Sequence, residues 1–489
     1  MSNSVIIASV AFGYLAIVLA VGIAGRQKDV DHSLDAYMAG GRSLGFVLLF
    51  FIIGAEFYSS VTFLGAPGWA YTRGVPAFYL LVSFSLALIP WWWIGTRTAR
   101  LGRHYGFLTQ GDLLGARFSS RALSTVVSLV GVIALLPYLV IQIVGSGYLF
   151  SAATSGTIPF WLGAFMAFVV VLIYTFASGL RGIGWTTVMQ GSIMLIAAST
   201  VGLLIPFKFY GGVGEMFSQL AAQAPAYLTI PGNDNAMPWG TYSSAILVTV
   251  LGMTMWPHLF NRAYAATTDD ALKRSIMMFP IYSLLILPVL LVGFAGILII
   301  ESLESPDQIM FELIAMADIS PWLIGIVLSG ALAASMSTGA NVLHTIASIL
   351  VKDLYLNYAS HSPDGQGQVK LTRIAVVVVF SICYVLALNP PQSVLSLVLI
   401  AFGALVQLLP GVVAAFVWPR ASWQGVVAGI VVGIGITVYF TFMASPPFGI
   451  HAGLLGFVVN LVLVTVGGLL NTTSNDEYIH EFIKIAETK

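Results

Sequence analysis

One carboxylate, three hydroxyls and a Gly/Pro-rich break lie within a single stretch, GAEFYSSVTFLGAPG, residues 54–68. Glu56 is the acid, and Ser59, Ser60 and Thr62 carry the hydroxyls. The surrounding run is apolar, and Glu56 is the one Asp or Glu that falls in the middle of an apolar span. A charge at the bilayer centre costs about 2.5–3.5 kcal/mol by insertion scales, so it is read as functional by default. As a coupling carboxylate, Glu56 would feel a co-transported cation or take up a proton. The plainer reading is a hydrogen-bonded structural acid. Where a helix unwinds, its carbonyls lose their i+4 donors, and such backbone is tolerated at membrane depth only inside protein or around a water-filled site. Freed carbonyls suit a cation, and half-helix N-termini suit an anion. The closing Gly-Ala-Pro-Gly either belongs to the break or marks the outer helix end.

A second constellation is SGALAASMSTGANVLHTIASILVKDLY, residues 329–355. Ala334, Ser337 and Thr338 stand at i, i+3 and i+4, on one helical face. A carbonyl near Ala334 and two hydroxyls are hard oxygen donors of the kind a dehydrated Na+ takes. The competing reading is hydroxyls bonded back to their own i−4 carbonyls. His258, in WPHLFNR, has no second ligand at metal spacing, and with Arg262 it reads as structural or as lining the inner route. His344 reads as packing or pathway. No nucleophile elbow, P-loop or dinucleotide fingerprint stands in a usable context, so no enzyme or organic cofactor is implied.

These residues must be positioned by membrane helices. The chain has 489 residues, of which 58% are hydrophobic and 8% charged, against about 25% charged in soluble domains. Its formal net charge is zero, which leaves no case for nucleic acid, and its single cysteine, Cys383, forms no intramolecular disulfide. A span needs about 20 apolar residues, and thirteen such runs occur. Spans 1–13 are 4–24, 44–70, 75–96, 122–150, 158–177, 183–206, 241–264, 276–300, 322–351, 370–388, 393–418, 423–443 and 451–470. Residues 471–489 form a cytoplasmic tail. The first run lacks a basic leader and reads as a retained helix. With the N-terminus outside and the C-terminus inside, the outer loops hold only Arg73 and Lys208 of the 20 Lys and Arg. The other eighteen, Lys28, Arg262 and Lys489 among them, fall inside, as the positive-inside rule requires. The acidic loop 301–321 falls outside. Spans 2 and 7, five apart, both have polar, Gly/Pro-interrupted centres, which points to a midplane site between two halves.

The chain resembles the sodium:solute symporter family over nearly its whole length. The resemblance rests on YMAGGRSLG, FLGAPGWAY, TQGDLLGARFSSRAL, YTFASGLRGIGWTTVMQ, WPHLFNRAYAA and AASMSTGAN with VKDLY. It implies one all-α transporter domain, 1–489. The extra helix 4–24 precedes a five-plus-five inverted-repeat core of leucine-transporter type, 44–418, and two helices, 423–470, follow it. It implies a Na+ site at the carbonyls of Ala55, Tyr58 and Ala334 and the hydroxyls of Ser337 and Thr338. Solute contacts would fall near Ser59, Thr62, Tyr138, Gln142, Thr249, Met253 and Trp256, with Gln407 as a further position. Thr187 in Trp185-Thr186-Thr187 replaces an aspartate found in many members, and Ala340 and Asn341 replace the serines of a second Na+ site. At most one Na+ per cycle is therefore expected, with Glu56 as a possible substitute charge.

Within the family, GAEFYSS, LPYLVIQIVG and WPHLFNRAYAATTDDALKRS look most like the monocarboxylate and acetate carriers. The expected activity is symport of Na+ with a small monocarboxylate across the plasma membrane, the inner membrane in a bacterium, by alternating access. No Lys or Arg reads as a midplane clamp for a carboxylate, which favours a small solute held by dipoles and hydroxyls. A proline-like amino acid and proton coupling are the alternatives. A sensor module working with a separate signalling chain is a third reading. The expected partners are the solute, Na+ or H+ and the lipid bilayer, and a single chain suffices for transport.

Overall fold

In lipid every backbone polar group must be satisfied within the protein, and this chain meets that demand with helices. The computed structural model describes residues 2–27, 30–389, 401–471 and 477–488. Lys28, Lys489 and the first part of span 11 lie outside them. Among the described residues the fold is all-helical, apart from one isolated parallel bridge between Leu44 and Ala266. Among the described residues, nine helices are long and apolar enough to cross a membrane, and two bent helix pairs bring that to eleven.

Spans 5 and 6 follow one another within Phe160–Tyr210 and meet at a sharp kink at Gly179. Gly179 has φ 58° and ψ −156°, a region open essentially to glycine alone. A Cβ there would stand 2.6 Å from the Tyr37 carbonyl oxygen. The kink thus bends the chain around the short helix Leu34–Ala39. Span 3 continues beyond its apolar run to Tyr105, because Arg97, Arg100 and Arg103 extend the helix while carrying their charge to its end.

Two spans are broken. The first joins Phe46–Glu56 to Val61–Arg73 at 50°, and the second joins Trp239–Met253 to Pro257–Ala265 at 42°. In the first, the interruption lies at residues 57–60, not at Gly-Ala-Pro-Gly, whose Pro67 sits in the first turn of Ala66–Arg73, where proline is tolerated. In the second, Pro257 opens the second half-helix. The Pro321–Ile349 helix packs along Phe160–Tyr210, along Arg121–Ala153 and against the first helix, Asn3–Ala24, and nearly every residue from Val327 to Ile349 is buried. It is the central post against which the first broken span rests.

The two long loops and the tail also fold. Val213–Gln223 and Ile309–Met316 are helices. The tail contains the helix Glu477–Glu487, whose Phe482 and Ala486 are fully buried.

Candidate functional site

The break at residues 57–60 leaves backbone groups that need partners. Phe57 and Tyr58 donate to the carbonyls of Gly54 and Ala55, three residues back, at 3.3 and 3.2 Å. The Ser59 N–H donates to Thr62 Oγ1 and the Val61 N–H to Ser59 Oγ, both at 3.2 Å. The Ser60 N–H and hydroxyl both donate to Gln142 Oε1 at 3.0 Å. Gly145 makes room for this contact, since a Cβ on it would lie 2.2 Å from Ser60 Cβ. Gln142 is therefore engaged with the unwound backbone and is not among the residues that line the cavity described below.

The carbonyls freed by the same break turn toward the central helix. Thr338 Oγ1 lies 3.0 Å from the Tyr58 carbonyl oxygen and 3.4 Å from that of Ala55. Ser337 Oγ donates to the Ala334 carbonyl at 3.2 Å. Tyr58 is pinned from the other side, its hydroxyl donating to the carbonyls of Tyr282 and Ser283 at 2.7 and 3.0 Å. All five residues are buried. The oxygens of Ala55, Tyr58 and Thr338 converge across two helices, with the Ala334–Ser337 pair one turn along the same helix. Such a cluster can hold a hard cation, and the Thr338 hydroxyl proton must then turn away from the carbonyls it now serves.

Beside these carbonyls lies a cavity. Glu56, Ser59, Thr62, Tyr138, Thr249, Met253 and Trp256 all line it, so the structure brings together most of the expected solute contacts. Sequence reasoning missed Phe57, Val61, Tyr79, Leu80, Phe84, His258, Leu259 and Phe402, which complete the wall. Trp256 lies between Tyr138, tilted at 4.8 Å between ring centroids, and Phe402, edge-on at 5.7 Å. Tyr79 OH meets Thr249 Oγ1 across the cavity edge. Gln407 is not there. Its amide donates to the carbonyls of Gly403 and Gly453 and to Thr437, and Asn460 donates back to it. It ties the last helices together.

Glu56 is not a lone charge. Its Oε1 accepts from Arg262 Nε at 2.8 Å and also from Nη2, which donates as well to Asn341 Oδ1. Arg262 is fully buried in the second half of the other broken span. Its guanidinium is taken by Glu56 and Asn341, and Arg262 is not among the residues that line the cavity. The signal was present: a buried carboxylate needs a paired cation, and Arg262 lies in the other interrupted span. Asn341 also donates to the Ser337 carbonyl at 2.9 Å, so one polar chain links Glu56, Arg262 and Asn341 to the hydroxyl cluster. Thr187 bonds back to the Ile183 carbonyl at 2.7 Å. His344 Nε2 meets the Tyr37 carbonyl at 3.0 Å.

The comparisons agree with this architecture. The model of the sodium:solute symporter family matches residues 37–433. The uncharacterized symporter YhjB of Bacillus subtilis is 30% identical over 94% of this chain and 96% of its own. A monocarboxylate transport permease protein of Rhizobium johnstonii is 27% identical, with 91% of this chain and 92% of the relative covered. Relatives named as sodium/pantothenate and sodium/proline symporters, from Escherichia coli and Salmonella typhimurium, reach 29% and 28%. Among solved structures, a Na+-coupled sialic acid symporter superposes with a TM-score of 0.81 at 20% identity, covering 95% of this chain and 98% of that one, a likeness of fold. A buried cluster of oxygens at a helix break, a cavity beside it and a family match across most of the sequence lead to one statement: this multi-pass membrane protein belongs to the sodium:solute symporter family.

Proposed function

We propose that the chain couples the inward flow of Na+ to uptake of a small monocarboxylate by alternating access. The observation that carries this reading is the meeting of the Ala55 and Tyr58 carbonyls with Thr338 Oγ1 at the edge of the cavity. A cation there would bridge the first broken span to the central helix, and a solute in the cavity would touch the same unwound segment. Binding of either would then bias one shared element, which is what coupling requires. Ala334 and Ser337 would complete the cation's shell. Ser59, Thr62, Tyr138, Thr249, Met253 and Trp256 would contact the solute.

The monocarboxylate assignment is supported by the Rhizobium relative and by a cavity with few polar groups. A proline-like amino acid is the second reading, favoured by the relatives named for proline. We further propose thirteen spans with the N-terminus outside and the C-terminus inside, ten of them forming a five-plus-five inverted-repeat core, in the plasma membrane. The kinked helix Phe160–Tyr210 supplies two of those spans and the two bent pairs one each.

The test is uptake of labelled pyruvate, lactate, acetate and proline into proteoliposomes under a Na+ gradient, a pH gradient, or neither. Accumulation of a monocarboxylate under the Na+ gradient supports the reading, and accumulation of proline alone replaces its solute. Uptake driven only by the pH gradient removes Na+ from the mechanism.

A further inference from the structure

A second, polar cavity of about 460 Å³ lies between the end of span 3, the start of span 4 and the end of span 9. Its frame is built. Thr109 Oγ1 and Ser128 Oγ donate to the two carboxylate oxygens of the fully buried Asp353, at 2.6 and 2.7 Å. These bonds tie the short helix Gln110–Arg117 and span 4 to the end of span 9, and they fix the backbone beside Lys352. The residues on this frame carry donors that nothing else in the protein uses. Tyr105 Oη is buried and has no hydrogen-bond partner. Ser120 Oγ accepts from the Leu123 N–H at 3.2 Å, and Ser124 Oγ accepts from Asn357 Nδ2 at 3.3 Å. Among the described residues, neither hydroxyl gives its own proton to an acceptor.

The charges are as uneven as the donors. The Arg121 guanidinium lines the cavity with no ion pair among the described residues, and no acid stands in the first turn of its helix. Lys352 Nζ is 3.5 Å from Asp112 Oδ1, and Asp112 Oδ2 is already taken by the Leu108 N–H at 3.0 Å. Two cations therefore face one acid. A buried polar group without a partner marks a missing one, and a surplus of donors and positive charge calls for an anion. The donors come from three elements, so the anion has to offer oxygens on several sides. A carboxylate has two oxygens in one plane, whereas a phosphate group spreads three or more around a centre. We propose that this cavity binds a phosphate group, held by Arg121 and Lys352 and by the hydroxyls of Tyr105, Ser120 and Ser124. The group belongs either to an anionic phospholipid of the adjacent leaflet or to free phosphate in solution. In both cases it braces the ends of three spans, at a distance from the solute cavity and whatever the solute is.

The test is thermal unfolding of the full chain, since a ligand that binds only the folded state raises the unfolding temperature. One arm titrates inorganic phosphate onto lipid-free protein in detergent, against sodium chloride of equal ionic strength. The other compares nanodiscs of phosphatidylcholine with nanodiscs containing increasing phosphatidylglycerol. A saturating rise with phosphate supports the proposal and assigns the free ion. A rise with phosphatidylglycerol alone supports it and assigns the lipid headgroup. In the arm that responds, Arg121→Gln and Lys352→Gln should each raise the half-maximal ligand level about tenfold or more. Lys370→Gln, exposed and outside the cavity, should leave it unchanged. Should Lys352→Gln fail to fold, because it leaves Asp112 unpaired, Ser124→Ala removes one neutral donor and should raise that level about threefold or more. No rise in either arm overturns the inference, as does a wild-type response in Arg121→Gln.

Discussion

At the scale of single residues, the site depends on which hydrogen bonds are shared and which are spare. The Thr338 hydroxyl now serves two carbonyls of the unwound segment, and it must be given to a cation during transport. Thr338→Ala should therefore raise the Na+ concentration for half-maximal uptake by roughly tenfold, the worth of one such ligand, and Ser337→Ala should do the same. Wild-type Na+ activation in both variants would remove them from the site. The Glu56–Arg262 pair makes a different prediction. Arg262→Ala leaves a buried carboxylate unpaired, at a cost of about 3–5 kcal/mol, so thermal unfolding in detergent should fall steeply. Adding Glu56→Gln should restore most of that loss, and an equally unstable double variant would show that Arg262 acts through packing alone.

The parts of this site legible in the sequence follow from periodicity. Ala334, Ser337 and Thr338 share a face because i, i+3 and i+4 must, and a hydroxyl-rich stretch with an acid in an apolar run announces a break. What stayed hidden is identity of partners. Charge counting sorted Arg262 with the loop arginines because a count along the chain does not register burial. Gln142 and Gln407 were named as solute contacts from the family resemblance, and nothing in the sequence shows the freed backbone N–H and the helix carbonyls that these amides meet.

At the scale of elements, breaks are where the fold stores its mobility. The first broken span is held at its turn by two side chains from other helices, Gln142 and Thr338, and by its own Tyr58 hydroxyl, which donates to the backbone carbonyls of Tyr282 and Ser283. The kink at Gly179 is held by steric need. Gly179→Ala places a side chain against the Tyr37 carbonyl in a conformation closed to L-residues, and a loss of about 1–3 kcal/mol should follow, read as a lower unfolding temperature. An unchanged temperature would mean that the helix straightens freely at that point. Sequence reading divided this segment in two because a span has a length limit, and the non-helical backbone at Gly179 lies between the two parts. Nearby, Asp31 joins Arg373, at 2.6 Å, to Arg26. Burial alone would raise its carboxyl, but the hydrogen bonds and charges of Arg373 and Arg26 outweigh it and hold the group below the usual carboxylate range. This tether is present at neutral pH and is lost as pH falls through that depressed value.

At the scale of the whole molecule, the chain closes on itself. Arg100, on the long helix of span 3, holds Asp269 at 2.6 Å and donates to the carbonyls of Ala486 and Glu487 at 3.0 and 2.9 Å. It thereby caps the C-terminal end of Glu477–Glu487, while Phe482 packs on Tyr105 and Phe107. Phe482→Ala should cost that docking about 3 kcal/mol or more, seen as faster hydrogen exchange across the helix. Unaltered exchange would show that the Arg100 bonds alone suffice. A tail with charges at both ends was read from sequence as an appendage, since its amphipathic face has meaning only beside the aromatic patch that covers it.

The pairing of Glu56 with Arg262 has an energetic consequence for the driving force. Because the two formal charges cancel, this part of the site adds nothing to the charge that crosses the membrane in a cycle. The membrane potential, worth about 2.3 kcal/mol per elementary charge at 100 mV, then acts only on cargo. One Na+ travelling with one monocarboxylate anion is electroneutral, so uptake would ignore the potential and follow the Na+ concentration ratio alone. One Na+ travelling with a zwitterion would carry a unit charge and draw on both.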